Sequence, residues 1–309
     1  MRCKIVLAYD LGGTKVAAGI VTHKGVVLEE IREPVAISHG KRALLRQLSD
    51  MGQALLIRHP GVRSCGVASA GPLNPATGEL LDPTNFSTDR KGWGVFPLAR
   101  LLSKSLKLPV TVDNDAAAAI NAEHWVGAAR EVENCLILTL GTGLGTGVIC
   151  NGQLVRAGRG LHTEGGHLIL NSRDKSAPCG CGNFGCAEAY LSGSGFTRRF
   201  NQGKNHAIEA PEIAEKARAG DARAKRAFAE YSEHLAVALH NFAVIYAPEL
   251  VLLAGSFAAT ADLFLPATLR HLKPLLARRR QQIDFMPKIR VSKLNNNAGL
   301  IGAAHIALQ

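Results

Sequence analysis

Three cysteines, Cys179, Cys181 and Cys186, lie within CGCGNFGC, and His167 stands upstream in the segment TEGGH. Three thiolates and one imidazole at this density can supply a tetrahedral ligand set to zinc. Glu164 and Glu188 flank the same stretch. A closed metal site there would hold these polar groups at fixed positions near one another, so the expected zinc is structural and shapes a pocket. The remaining cysteines, Cys3, Cys65, Cys135 and Cys150, sit in apolar surroundings without regular spacing and read as small buried hydrophobes. Free thiols beside a zinc site suit a reducing, cytoplasmic compartment.

Two glycine-rich loops offer a second kind of chemistry. Asp10 precedes Gly12, Gly13, Thr14 and Lys15. Glycines let backbone N–H groups approach an anion, Thr14 adds a hydroxyl, Lys15 a charge, and Asp10 at a strand end is a candidate for Mg²⁺. Gly141, Thr142 and Gly143 open a second such loop that continues to Gly147. It runs into a strand where a dinucleotide fold would need a helix. Together the loops predict a phosphate clamp. Asn114 and Asp115 stand at a strand-to-helix junction, where they read equally as a helix cap or as a general base for phosphoryl transfer.

The elements that must carry these residues alternate between strand and helix. KIVLAYDLGGTKVAAGIVTHKGVVLEEI reads as strand, Gly-rich turn, strand, tight turn and strand, and ENCLILTLGTGLGTGVICNGQLV repeats that grammar. Helices are predicted at 41–57 and 95–106, strands at 63–68 and 109–113, and a helix after Asn114-Asp115. After the cysteine cluster come two helices, the strand ELVLLAG, a further helix, the strand KIRVSKL and a closing helix. The expected class is α/β with two related domains facing a central cleft. Their expected bounds are 1–115 joined by a C-terminal helix at 296–309, and 116–295.

Composition sets outer limits. The 309 residues, 47% hydrophobic, are enough for two cores. No apolar segment approaches the roughly 20 residues of a membrane span, and no secretory leader is apparent. The formal charge of +11 comes from dispersed Lys and Arg with only 5% aromatics, so a nucleic-acid partner is not expected.

DLGGTK, SAGPLNPATGEL, NDA, LGTGLGTG, EGGH, CGCGNFGCAE and the closing GLIGAA occur in an order that resembles the ROK group of sugar kinases and related repressors. The resemblance implies a two-domain fold like that of actin and hexokinase, in the ribonuclease H-like class. It implies an ATP-dependent kinase acting on the 6-hydroxyl of a hexose, glucose first, with N-acetylglucosamine or N-acetylmannosamine as alternatives. By the same resemblance Asp115 is the base, while Asn85, Asn114, Glu164, His167 and Glu188 contact sugar hydroxyls. His167, Cys179, Cys181 and Cys186 hold zinc, and the Gly255 turn belongs to the nucleotide site. ATP and Mg²⁺ are the implied co-reactants, and a homodimer or larger homo-oligomer the implied assembly. The family's repressors carry a helix-turn-helix segment before the first glycine loop. With nine residues preceding Asp10, a sugar-responsive regulator is not expected.

Overall fold

The central strand of the first unit, β1 (Ile5–Leu11), is buried on nearly all of both faces. Strands sandwiched between helices need such continuous apolar runs, whereas one-sided strands alternate. In the computed structural model, which describes residues 4–83, 86, 92–203, 206–277, 284–294 and 297–309, β1 pairs antiparallel with β2 (Lys15–Thr22) and parallel with β4 (Cys65–Ser69). With β3 (Val27–Pro34) and β8 (Val110–Asn114) they form a sheet of order β3-β2-β1-β4-β8. A small sheet of β5 (Leu73–Asn74), β6 (Glu79–Leu81) and β7 (Val95–Phe96) is inserted after β4.

One face of the large sheet is covered by α1 (Lys41–Arg58) and α2 (Leu98–Leu106), whose Leu44, Leu48, Leu55 and Leu102 pack on Leu7, Tyr9 and Val67. The other face is covered by α3 (Asp115–Trp125) and the C-terminal α9 (Ala298–Leu308) through Ala118, Leu300, Ala303 and Ala304. These helices approach backbone to backbone. A Cβ on Gly302 would stand 2.0 Å from the Ala118 carbonyl oxygen, and one on Gly66 would stand 1.9 Å from that of Ala303. Larger residues would have to push the layers apart.

The second unit repeats the plan. β9 (Cys135–Leu140) pairs antiparallel with β10 (Leu144–Cys150) and parallel with β12 (Leu250–Ala254), in a sheet of order β11-β10-β9-β12-β13 completed by β11 (Gln153–Leu154) and β13 (Lys288–Val291). Its helices are α4 (Ala187–Leu191), α5 (Gly193–Asn201), α6 (Ala210–Arg218), α7 (Ala222–Tyr246) and α8 (Ala261–Ala277). Phe196, Phe228, Tyr231, Phe257 and Phe264 form a continuous ring cluster among them.

The units divide as Met1–Glu131, Leu154–Thr163 and Lys293–Gln309 against Val132–Gln153 and Glu164–Ser292. This corrects the expected break after residue 115. α3 stays with the first unit because it packs along α9, and segment 154–163 joins it because Arg156 binds Asp113 in β8. Among the described residues no helix is long and apolar enough to cross a membrane.

Candidate functional site

In the first unit the strand ends carry carboxylates. Gly12 N–H bonds the Lys15 carbonyl at 3.1 Å and closes the β1–β2 hairpin, leaving Thr14 and Lys15 exposed at its tip. Asp10, one residue before the end of β1, lies under the first turn of α9, where a Cβ on Gly299 would stand 2.3 Å from the Asp10 carboxyl carbon. Desolvation, then the charge of Asp115, push the Asp10 carboxyl up to about 6, against the opposing pull of Arg32. Two acids close enough for the charge of one to raise the other form a natural seat for a divalent cation.

Asn114 is the N-cap of α3, its Oδ1 accepting from the N–H groups of Ala116 at 2.9 Å and Ala117 at 3.1 Å. The cap fixes the oxygen and leaves the amide Nδ2 as a donor, so the capping and ligand readings coexist. Asp115 opens the helix, with Oδ1 2.8 Å from the Ala116 nitrogen. Behind it Asp113 is buried and held by both terminal nitrogens of Arg156 at 2.7 and 2.5 Å. Asp113 raises the Arg156 guanidinium further above its ordinary range through that bond, and its Oδ1 also receives the Asn114 N–H at 2.8 Å. The charged pair therefore holds the backbone that presents Asn114 and Asp115. Arg156 was not anticipated from the sequence. Asn85 lies outside the described residues.

In the second unit the His167, Cys179, Cys181 and Cys186 ligand atoms all fall within 4.8 Å of one another. Cys181 and Cys186 sulfurs stand 3.7 Å apart, and Cys179 sulfur is 3.5 Å from His167 Nδ1. Two sulfurs bound at about 2.3 Å around a tetrahedral ion would be separated by about 3.8 Å, so the donor set fits zinc. The loop is held by local backbone bonds: Cys179 N–H to the Asn183 carbonyl at 2.9 Å and Gly182 N–H to the Cys179 carbonyl at 3.1 Å. Burial pushes the Cys179 thiol up, which an adjacent divalent cation would reverse.

With Nδ1 on the sulfur side, His167 turns Nε2 toward Glu164, 3.7 Å from its Oε2. Glu188, in the first turn of α4, accepts the Leu144 N–H at 3.1 Å and lies 3.3 Å from the Cys179 sulfur. It thus ties the cysteine loop to the second glycine loop. There Gly141 N–H bonds the Gly143 carbonyl at 3.1 Å, and the Gly141 carbonyl accepts the Gly193 N–H at 2.7 Å.

Gly141 and Thr142 also line a cavity of about 830 Å³ that continues past Ser194, Asn201, Pro211 and Ser256. Gly255, with φ +86°, makes the turn that opens it; a Cβ there would stand 2.4 Å from the Leu140 carbonyl oxygen. Ser194 Oγ donates to the Thr142 carbonyl, and Ser192 caps α5 by accepting the Gly195 N–H at 2.9 Å. The α5 and α6 walls were not anticipated. Their sequence signal was the Ser192-Gly193-Ser194-Gly195 run, a capped helix start of the kind that accepts anions.

Residues 6–309 match the ROK family. A glucokinase from Halalkalibacterium halodurans is 29% identical over 97% of this chain and 94% of its own length. An N-acetyl-D-glucosamine kinase from Citrobacter koseri is 30% identical over 97% and 98%. The crystal structure of a ROK family glucokinase from Streptomyces griseus in complex with glucose and AMPPNP superimposes with a TM-score of 0.83 at 27% identity, covering 99% of both chains. A family match over nearly the whole chain, together with two α/β units of one topology, means that this chain belongs to the ROK family and has its sugar-kinase fold.

Proposed function

We propose that the chain is an ATP-dependent hexokinase that phosphorylates the 6-hydroxyl of glucose. The observation that carries this reading is Asp115, presented at the start of α3 by a capped Asn114 and a charge-paired Asp113, near the cation-seating Asp10. Asp115 would take the 6-hydroxyl proton as that oxygen attacks the γ-phosphorus and the bond to the ADP oxygen breaks. Asn114, Glu164, His167 and Glu188 would hold the remaining hydroxyls. Backbone N–H groups of the two glycine loops would line the phosphates, and the 830 Å³ cavity beside Gly255 would take the nucleoside. Mg²⁺, held from Asp10, would offset charge on the phosphates.

Zinc in this reading does no chemistry, because four protein ligands leave no open position for water. It fixes His167 and orients Glu188 through Cys179. The similarity to the Citrobacter koseri enzyme favours N-acetylglucosamine as the second candidate sugar.

A coupled ADP-release assay over glucose, mannose, N-acetylglucosamine and N-acetylmannosamine tests the assignment. Glucose should give the highest kcat/KM; no stimulation by any sugar would sink the kinase reading. Metal analysis of purified protein should find one zinc per chain, lost in Cys181→Ser together with sugar affinity. A folded, zinc-free variant with unchanged KM for sugar would refute the structural role.

A further inference from the structure

A second, smaller cavity of about 210 Å³ lies on the side of α5 turned toward α7. Its walls differ in kind from those of the larger cavity beside Gly141. Three guanidiniums, Arg199, Arg223 and Arg226, meet there against one lining carboxylate, Glu230. The apolar part of the lining is aromatic and buried: Tyr190, Phe196, Phe200 and Tyr231 are each at most 5% exposed.

Two of the guanidiniums are held in place before any ligand arrives. Arg199 lies over the Tyr190 ring at 4.8 Å and also reaches Asp174 at 3.4 Å. Arg223 lies over the Phe200 ring at 5.1 Å, and its Nη2 donates to the carbonyls of Phe200 at 2.7 Å and Gln202 at 3.2 Å. Each still has N–H donors to spare, since a guanidinium carries five. Arg226 forms no ion pair with a described carboxylate. His234 stacks on Tyr190 at 4.1 Å, with its Nδ1 2.7 Å from the Glu230 carbonyl, so the imidazole is fixed as well.

Like charges gathered around a cavity repel one another, and an anion placed among them relieves that repulsion. The aromatic shelf positions the cations but does not neutralise them. Three planar forks around a small space match a tetrahedral oxyanion, which accepts bidentate hydrogen bonds from several directions. The volume suits phosphate with a short organic stem, for which the Phe196 and Tyr231 rings provide an apolar floor.

We propose that this cavity is a binding site for a phosphate dianion, either free or as a small phosphomonoester. It is separate from the glycine-loop residues assigned to ATP, and it stands whether or not the kinase reading does, because binding is measured without turnover. Arg199 makes it responsive to its surroundings: an occupant competes with Asp174, which also accepts the Tyr190 hydroxyl at 2.8 Å and sits in the loop leading to Cys179.

The test is calorimetric titration of inorganic phosphate and, separately, of glycerol 3-phosphate into the intact protein, with glucose and Mg²⁺-ADP present in excess to fill the sites assigned to the reaction. One saturable equivalent of either probe is expected, at millimolar affinity or tighter. Arg226→Gln and Arg223→Gln should each weaken it by on the order of tenfold. Arg226 is exposed, so its variant should melt like the parent protein. Tighter binding of glycerol 3-phosphate would identify a phosphomonoester site, and tighter binding of inorganic phosphate a site for the free ion. No saturable binding of either probe, binding unchanged in both variants, or binding abolished by the excess ADP would each overturn the proposal.

Discussion

The two sheets share one strand order and one pattern of parallel and antiparallel pairing, yet their strand ends carry opposite chemistry. Aligned by register, Asp10 of the first sheet corresponds to Thr139 of the second, since each stands one residue before the strand end and pairs with Ala68 or Ala254 of the parallel neighbour. Asp113, opposite Ala68 in the first sheet, has Ser292 in its place in the second, one residue past β13. The first unit therefore gathers carboxylates at Asp10, Asp113 and Asp115, where the second presents hydroxyls and backbone N–H groups. The hairpin loops differ too. Four residues separate Leu11 from its partner Val16, and three separate Leu140 from Leu144, so the second loop has no counterpart of Lys15.

The difference teaches how one duplicated scaffold can serve two jobs. Carboxylates are needed where a proton must be accepted or a cation held, but beside a polyphosphate they would repel it. Neutral donors on a preformed turn carry no such penalty. The largest expected effect follows from the acid side. Asp115→Ala should lower kcat/KM for sugar phosphorylation by about 10³-fold, the usual weight of a positioned base, with a melting temperature no lower than the parent's because the charge beside Asp10 is gone. Substantial residual turnover would move the base elsewhere.

The next effect concerns stability. Folding raises the Asp10 carboxyl from its ordinary value of 3.8 to about 6, so the folded protein binds this proton more tightly than the unfolded chain. Stability should therefore fall as pH rises from about 4 to about 6 and stay lowered above that, by no more than about 3 kcal/mol. Asp10→Asn should remove that slope and stabilise the metal-free protein at neutral pH while impairing catalysis. Urea melts at pH 4 and pH 7 read the difference directly. An equal slope in parent and variant would show that the strain lies elsewhere. Thr139→Asp is the converse experiment. Copying the carboxylate into the second sheet should raise KM for ATP by on the order of tenfold, about 1.4 kcal/mol, and leave KM for sugar nearly unchanged. Equal effects on both substrates would mean that the two strand ends do not divide the work.

Much of this was legible in sequence because it is local. The strand, glycine turn, strand grammar around Asp10 and around Gly141 fixes two hairpins, and the spacing of Cys179, Cys181 and Cys186 brings three sulfurs to one turn. What escaped depends on distant partners. Arg156 looks like any solvated arginine until the fold sets it against Asp113, 43 residues away. The link between Asp10 and Asp115 likewise exists only once β1 and β8 flank β4. The break after residue 115 failed for a related reason. Helix propensity announces α3, but only its packing on α9 decides which unit owns it.

Thr146 supplies the finest test, because it marks where the second hairpin was adapted to its neighbours. Its register counterpart in the first sheet is Ala18, a plain apolar position. Thr146 is 2% exposed, and its Oγ1 accepts the Gly165 N–H at 3.0 Å. Gly165 begins the turn that carries His167, and a Cβ on Gly166 would stand 2.1 Å from the Leu144 carbonyl oxygen, so that turn lies directly on β10. Thr146→Val keeps the shape but removes the acceptor, leaving a poorly hydrated N–H at a cost of about 1–2 kcal/mol. Ala18→Ser, the matching polar change in the first sheet, has no turn to hold and should bring no gain. If the hydroxyl positions His167, Thr146→Val should raise KM for sugar more than KM for ATP, and Thr146→Ser should restore both stability and KM. A loss of stability with both KM values intact would reduce Thr146 to a packing residue and leave the positioning of His167 to the cysteine loop.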